Sequence, residues 1–275
     1  MDTIVVATDG SASALAAVEW AADDAVRKGL PLHILHVGTD ARALAAAEHA
    51  ARANRLDLAV TTEAIDGAAV AVLRDRARNA AELVLGNRGL GRLASEVLGS
   101  VSLGVAAQAT GIVVIVRPSP PVAGEVVVGV SETADSDAAL AHAFAEAALR
   151  GTRLLAVHAW QVPPHVLEFD LDKARRAAYR LAHDRLAPLR RAWPDVPVTG
   201  NVACGGPAEV LLTAAKDAAL VVLGPGHRGA VARAVLGSVC HGVLRRSTCP
   251  VAVVSGLPGE HRLKVEHSRQ HLARP

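Results

Sequence analysis

The chain carries the same succession of short apolar strands and helices twice, and this internal repeat limits the folds open to it. The run from Thr3 to Ala7 is continuous and β-branched, as in strands buried on both faces of a parallel sheet. Val126 to Val130 repeats that run, and Leu220 to Gly224 repeats the run that ends at Gly86. Because strands alternate with helices, the sheets are predicted to be parallel and doubly wound. The predicted fold is therefore α/β, with two tandem five-stranded domains.

Two breaks in this pattern divide the chain. A segment with three prolines, residues 118–124, separates the first repeat, 1–117, from the second, 125–254. Residues 255–275 are polar and basic, so we expect a disordered tail. The difference in residue number between corresponding motifs of the two halves is constant up to the second strand. It is larger from the third strand onward. We therefore expect an insertion around Gln161 to Phe169, as a plain surface connection or as a lid over a site.

Composition excludes several classes of function. The chain has 29 basic and 27 acidic side chains, and no dense basic stripe points to a nucleic acid. Aromatic residues make up 2% of the chain, too few for a platform that stacks bases. The three cysteines form no C-x-x-C pair, no signal peptide is visible, and no apolar run reaches membrane-spanning length. We therefore expect a cytoplasmic protein that binds neither nucleic acid nor membrane.

The stretch from Leu83 to Ser102 carries the candidate site. A short apolar run ends at Gly86, Gly89 follows, and Gly99 with Ser100 opens a predicted helix. Glycines allow close approaches that a β-carbon would block, and free N–H groups beside a helix N-terminus can bind an anion. The stretch therefore predicts either a phosphate cradle or a tight strand-to-helix turn without a ligand.

Asp9 is the expected partner of this stretch. In open parallel sheets, ligands bind beyond the carboxyl ends of the strands, where the strand order reverses. The first strand ends at Asp9 and the fourth at Gly86, so neighbouring strands would place this carboxylate opposite the glycines. The carboxylate can then accept hydrogen bonds from ribose hydroxyls, and the backbone at Val37 can meet an adenine edge. The predicted site is the crevice between the first and fourth strands.

These glycines resemble a known nucleotide-binding signature. Gly86-x-x-Gly89, nine further residues and Gly99-Ser100 are similar to the G-2x-G-9x-G-(S/T) signature of ATP-binding universal stress proteins. Other elements similar to that family are Val6 to Ser11, Leu35 to Val37, and the first helix with Trp20. Because these elements occur in the family's order, the resemblance rests on more than the glycine signature.

The resemblance covers residues 2–117 and 124–254 and implies a fold, a ligand and a role. It implies the adenine nucleotide alpha hydrolase-like fold, with the two halves paired through their last strands. It also implies binding of ATP or a related adenine nucleotide, with or without Mg²⁺, and a regulatory role in the stress response. The implied nucleotide contacts are Asp9, Val37, Gly86, Gly89, Gly99, Ser100 and Val101, with Arg88 and Ser102 as additional candidates. No residue is assigned to catalysis or to a protein-bound metal.

Two kinds of partner besides the nucleotide are expected. One is the protein itself. The two halves are expected to pair within the chain, and two chains can form a homodimer. The other is a regulatory protein, whose identity the sequence leaves open.

The second half departs from the signature. Asp9 aligns with Ser131, which has no carboxylate, and Gly89 aligns with His227. A non-glycine residue at positive φ costs about 1 kcal/mol, and the imidazole adds bulk. We expect weaker nucleotide binding there, unless Gly226 takes over the turn so that both halves bind. The candidate residues in this half are Gly224, Gly226, Gly237, Ser238 and Val239.

Other enzyme classes fit less well. No lysine lies between Gly86 and Ser102, so the stretch is not a P-loop, and fast ATP hydrolysis has no visible machinery. The segment from Gly89 to Ala94 matches a dinucleotide fingerprint, but no acidic residue follows at a strand end about 20 residues later. Two alternatives stay open: a nucleotide-independent interaction module with the same fold, and a slow ATPase.

Overall fold

The alternation of strands and helices predicted from the sequence is confirmed in both halves. The structure is a computed structural model and describes residues 3–53, 55–89, 98–118, 124–133, 135–162, 170–226 and 236–256. The first half contains β1 (Ile4–Ala7), α1 (Ala12–Lys28), β2 (Leu32–Val37), α2 (Ala41–Arg52), β3 (Val60–Ile65), α3 (Ala69–Asn79), β4 (Glu82–Gly86), α4 (Ser100–Gln108) and β5 (Gly111–Val116). The second half contains β6 (Val126–Gly129), α5 (Asp135–Arg150), β7 (Leu154–Trp160), α6 (Leu171–Ala192), β8 (Val198–Cys204), α7 (Pro207–Ala214), β9 (Leu220–Leu223), α8 (Ser238–Arg246) and β10 (Val251–Ser255).

The ten strands of the described residues form one sheet, in the order β3-β2-β1-β4-β5-β10-β9-β6-β7-β8. Within each half the neighbouring strands run parallel. The halves join where β5 pairs antiparallel with β10, with Val113 opposite Val253. The two five-stranded sheets expected from the sequence therefore continue into one another through their last strands. Strands β1 and β4 are neighbours, as the predicted site requires.

The sheet is covered on both faces by helices. Strand residues alternate between the faces: Ile4 and Val6 pack on one side, and Val5 packs on the other. Helices α1, α2, α5 and α6 contribute to the first core layer, whereas α3, α4, α7 and α8 contribute to the second. Burial on both faces explains why most strands are continuous apolar runs rather than alternating patterns.

The second half differs from the first mainly between its second and third strands. Helix α6 has 22 residues, whereas its counterpart α2 has 12. Much of the predicted insertion is therefore a longer helix instead of a surface loop, and residues 163–169 lie outside the described part of the chain. The linker residues 119–123 and the tail from residue 257 also lie outside it. None of the helices described is both long and apolar enough to cross a membrane.

Candidate functional site

Asn87 holds the glycine-rich loop in place at the end of β4. Its N–H donates to the carbonyl of Val116 at the end of β5 (2.8 Å), and its own carbonyl accepts from the N–H of Gly99 (2.7 Å). Its buried side-chain oxygen accepts from the hydroxyl of Ser13 in α1 (2.7 Å). Asn87 therefore connects strand β5, helix α1 and the start of α4. The sequence analysis overlooked Asn87 and Ser13, because neither belongs to the glycine signature.

Gly86 is the point of closest approach between the loop and helix α1. A β-carbon at Gly86 would lie 2.7 Å from the carbonyl oxygen of Ser13 and 2.8 Å from its Oγ. The buried hydroxyl of Ser102 donates to the carbonyl of Gly86 (2.7 Å). Ser102, which the sequence analysis considered as a nucleotide contact, therefore supports the loop from within the fold.

Asp9 lies against Gly89, where the sequence analysis expected it. A β-carbon at Gly89 would lie 2.5 Å from Asp9 Oδ2, and Asp9 Oδ1 accepts from the N–H of Ser11 (3.0 Å). Ser11 in turn caps α1 by accepting from the N–H of Ala14 (3.2 Å). The start of α1 therefore fixes the carboxylate, and a residue without a side chain is needed beside it.

The start of α4 borders the same crevice. A β-carbon at Gly99 would lie 3.8 Å from the backbone nitrogen of Gly89, so the two glycines are close neighbours. Gly99 is the N-cap of α4, and no side chain among the described residues caps this helix end. Ser100 and Val101 are exposed in its first turn, which carries no acidic residue. Free N–H groups and the helix dipole make such a helix end favourable for an anion.

Val37 and Arg88, the remaining predicted contacts of the first half, are both half-buried. Val37 ends β2, which pairs with β1. The N–H of Arg88 donates to Ser13 Oγ (3.3 Å), and its Nε is buried without a hydrogen-bond partner among the described residues. The structure thus collects the predicted residues of the first half at one end of β1, β2 and β4.

The second half keeps the backbone frame of this loop. The N–H of Gly237 donates to the carbonyl of Pro225 (2.9 Å), as Gly99 does to Asn87 in the first half. Gly237 is the N-cap of α8, and Ser238 begins that helix, followed by the half-buried Val239. Gly226 adopts a left-handed φ of 74°, in the loop that follows Gly224.

The polar groups of the second half differ from those of the first. Pro225 aligns with Asn87 and offers no side-chain acceptor. Ser131, which aligns with Asp9, forms a hydrogen bond with the hydroxyl of Thr133 (2.9 Å). His227 lies outside the described residues, so its predicted effect on the turn stays a prediction. At these two aligned positions the second half therefore has neither the carboxylate nor the side-chain amide of the first.

Fold and site together define a class of protein. It is a duplicated, doubly wound α/β protein in which a glycine-rich loop and a helix start meet where the strand order reverses. The model of the universal stress protein family matches residues 1–48, 38–117 and 124–255 of this chain. The chain therefore belongs to the universal stress protein family.

Relatives of the same length share the tandem organisation. The universal stress protein Rv2005c of Mycobacterium tuberculosis is 33% identical over 284 residues, covering 91% of this chain and 96% of its own. Universal stress protein Rv1996 of the same organism is 32% identical over 299 residues, covering 91% and 94%. The crystal structure of a universal stress protein from Archaeoglobus fulgidus DSM 4304 has the same fold, with a TM-score of 0.66 at 19% identity over 93% of this chain and 97% of that one.

Proposed function

We propose that the protein binds ATP or a related adenine nucleotide in the first-half crevice and acts as a regulatory protein of the stress response. The observation that carries the proposal is the position of the Asp9 carboxylate against Gly89, next to the start of α4, which no side chain in the described part of the chain caps. An acceptor for sugar hydroxyls and a set of donors for phosphates lie side by side there. A plain strand-to-helix turn requires neither group.

Each part of the crevice has a proposed role. The Asp9 carboxylate, which the N–H of Ser11 holds through Oδ1, accepts a hydrogen bond from a ribose hydroxyl. Backbone N–H groups of Gly89, Ser100 and Val101 bind the phosphates, as helix starts and glycine turns do. The guanidinium of Arg88 adds positive charge beside them. A Mg²⁺ ion bound to the nucleotide would be held mainly by phosphate oxygens.

The proposed stoichiometry is one nucleotide per chain. Ser131 replaces the carboxylate of Asp9, and its hydroxyl is engaged by Thr133. Binding in the first half would cover the surface around Gly89 and Gly99 and thereby change what a regulatory partner meets. The second half then serves as scaffold, with weak binding of nucleotide or none.

Titration calorimetry with ATP tests the site. For the wild type we expect heat of binding with a stoichiometry of one. Asp9→Ala should weaken binding about tenfold to a hundredfold, the usual effect of losing a hydrogen bond to a charged group. Ser131→Ala, the matched change in the second half, should leave the affinity unchanged. Absence of heat, together with no thermal stabilisation at millimolar ATP, would favour the nucleotide-independent interaction module.

A double-mutant cycle tests whether Asp9 and Gly89 act as one unit. Gly89→Ala places a β-carbon 2.5 Å from Asp9 Oδ2, so the carboxylate must turn away and binding should weaken. In the double variant with Asp9→Ala there is no carboxylate to displace, so the loss should be close to that of Asp9→Ala alone. Fully additive losses would show that the two residues act separately.

Two further measurements separate the remaining alternatives. Mass spectrometry of small molecules carried through a gentle purification identifies the nucleotide that the protein retains. The slow-ATPase alternative requires phosphate release above background that is lost in Ser100→Ala. Binding without such release would leave a nucleotide-binding regulator.

A further inference from the structure

A buried cluster of charged side chains lies between the two halves, at the opposite end of β4 from the glycine loop. Glu82 begins β4, whereas Gly86 ends it. Asp24, Glu82 and Glu146 are at most 3% exposed, which is rare for ionisable groups. The members of the cluster are Asp24, Lys28 and Glu82 from the first half and His142, Glu146 and Arg150 from the second.

The Lys28 ammonium is at the centre of this cluster. Its Nζ lies 2.6 Å from Asp24 Oδ2 and 2.7 Å from Glu146 Oε1, and it also contacts Glu82 Oε1. Burial acts to lower the pKa of Lys28, but the three carboxylates outweigh it and hold that pKa above its ordinary value. Lys28 is therefore a permanent cation.

Four of the charged side chains form ion pairs both within and between helices α1 and α5. Asp24 and Lys28 stand four residues apart at the end of α1, and Glu146 and Arg150 stand four apart at the end of α5. Arg150 reaches across to Asp24 (3.0 Å), while Lys28 reaches across to Glu146. These four side chains sum to zero charge.

Glu82 has no counterpart in the second half. It pairs in register with Ile4 of β1, and the corresponding neighbour of Val126 in β6 is Leu220. Glu82 therefore adds a third carboxylate to a set that is already neutral. A buried carboxylate without a matching cation favours its protonated form, because desolvation penalises the charge.

The other groups around Glu82 do not supply the missing cation. Its side chain faces α1 and α5, where Arg27 pairs with Asp24 (2.6 Å); the side chain of Arg27 is 32% exposed, so water screens its charge and it does not offset a fully buried carboxylate. Strands β1 and β5, on either side of β4, carry no titratable side chain. His142 Nε2 lies 3.8 Å from Glu82 Oε1 and is the remaining group that can carry a proton there.

A metal ion is not the missing cation. Glu82, His142 and Glu146 can bring one ligand atom each to within 4.8 Å of one another. However, the Lys28 ammonium already binds the two carboxylates, and its positive charge repels a second cation. The group that balances Glu82 is therefore a proton.

We propose that Glu82, together with His142, forms a buried proton-binding site that controls how tightly the two halves pack. With the proton bound, the cluster is neutral and α1 and α5 stay in contact. When the proton leaves, a net negative charge is buried between the halves and the interface loosens.

The sign and the pH range of this effect follow from the environment of Glu82. Burial raises the pKa of Glu82 to about 8; Lys28 opposes this rise, and Asp24 and Glu146 add to it. A group whose folded-state pKa is raised stabilises the folded state at low pH and loses that contribution as pH rises through the raised value. The closed interface is therefore favoured most below the ordinary glutamate pKa of 4.5; between that value and about pH 8 each pH unit increases the open fraction up to about tenfold, and above about pH 8 the open fraction levels off.

Hydrogen exchange and infrared spectroscopy on the full chain test the proposal. Protection factors, which correct for the pH dependence of chemical exchange, should fall up to about tenfold per pH unit between about pH 6 and pH 8 at amides of α1, α5 and the β5–β10 pair, and level off above about pH 8. Glu82→Gln should abolish this fall. Glu82→Leu, which copies Leu220 of the second half, gives the same test if the glutamine variant folds poorly.

The infrared spectrum locates the proton directly. The wild type should show the carbonyl stretch of a buried protonated carboxylic acid at pH 7, and this band should vanish at pH 10 and in Glu82→Gln. The proposal is overturned if the band is missing at pH 7. It is equally overturned if Glu82→Gln and Glu82→Leu keep the wild-type fall in protection.

Discussion

Gly86→Ala is the substitution for which the structure gives the sharpest prediction. The new β-carbon would lie 2.7 Å from the carbonyl oxygen of Ser13 and 2.8 Å from its carbonyl carbon. Both are backbone atoms in the first turn of α1, where Ala14 and Ala17 are buried in the core. Neither can rotate away, so helix and loop must move apart.

The size of the effect can be estimated from two contributions. Overpacking a rigid site by one methyl group costs about 1–3 kcal/mol. Separating the loop from α1 also strains the 2.7 Å hydrogen bond between Ser13 and Asn87, whose loss would add about 1 kcal/mol. We therefore expect the free energy of unfolding to fall by about 2–4 kcal/mol. ATP binding should weaken in parallel, because the same movement displaces Gly89 from Asp9.

Urea denaturation followed by circular dichroism measures the change, with the slope against urea checked for constancy. Gly200→Ala is the matched control, because a β-carbon at Gly200 on strand β8 would meet nothing within 4 Å. It should leave stability unchanged or raise it slightly. If Gly86→Ala is as stable as Gly200→Ala, the close approach between the loop and α1 does not constrain the fold and the reasoning is refuted.

Three further substitutions test other contacts. Ser102→Ala leaves the buried carbonyl of Gly86 without its donor, and we expect a loss of about 1–3 kcal/mol in urea denaturation; a neutral result would contradict the supporting role of Ser102. Lys28→Met removes the cation that Asp24, Glu82 and Glu146 share and should cost about 3–5 kcal/mol at pH 7. That loss should shrink at pH 5, since the carboxylates can then take up protons, and an equal loss at both pH values would argue against the charge count. Arg117→Ala removes donors to two carbonyls at the end of α8 (2.7 and 2.8 Å), which should increase hydrogen exchange in β10, and unchanged exchange would show that this link is dispensable.

The alternation of strands and helices and the location of the site can be predicted from the sequence for a clear physical reason. Strands buried on both faces are continuous apolar runs, and glycines interrupt them sharply. Strand β4 therefore ends at the predicted Gly86, and α4 begins at the predicted Ser100. Because carboxyl ends of neighbouring parallel strands meet at one edge of the sheet, Asp9 and the glycine loop could be placed together from their strand positions alone.

The contacts that hold the site together were not predictable in the same way. Ser13 and Asn87 are 74 residues apart, and nothing local marks them as partners. Ser11 caps α1, so the hydroxyl of Ser13 is left to bind the loop. The length of α6 was also missed, because the extra residues were assigned to a surface connection.

The buried charges are the least predictable feature. Acidic and basic residues four apart on a helix normally lie on an exposed face, where such pairs add little stability. In this chain α1 and α5 each end in such a pair, and the antiparallel joining of β5 and β10 brings the two helices together. These charged pairs are therefore buried because the two halves associate, and no local pattern in either helix predicts that association.

The two halves have diverged most clearly along their fourth strands. Strand β4 begins with the buried Glu82 and leads into Asn87, whereas β9 begins with Leu220 and leads into Pro225. Helix α1 runs beside β4 and likewise carries Ser13 at the loop end and Lys28 at the cluster end. The first half thus has polar groups at both ends of one strand–helix pair, and the second half has apolar or conformationally fixed residues at the same positions on its fourth strand. Both halves have the same frame of the sheet, because continuous apolar strands suffice for that, whereas the polar sites depend on single residues that the fourth strand of the second half does not carry.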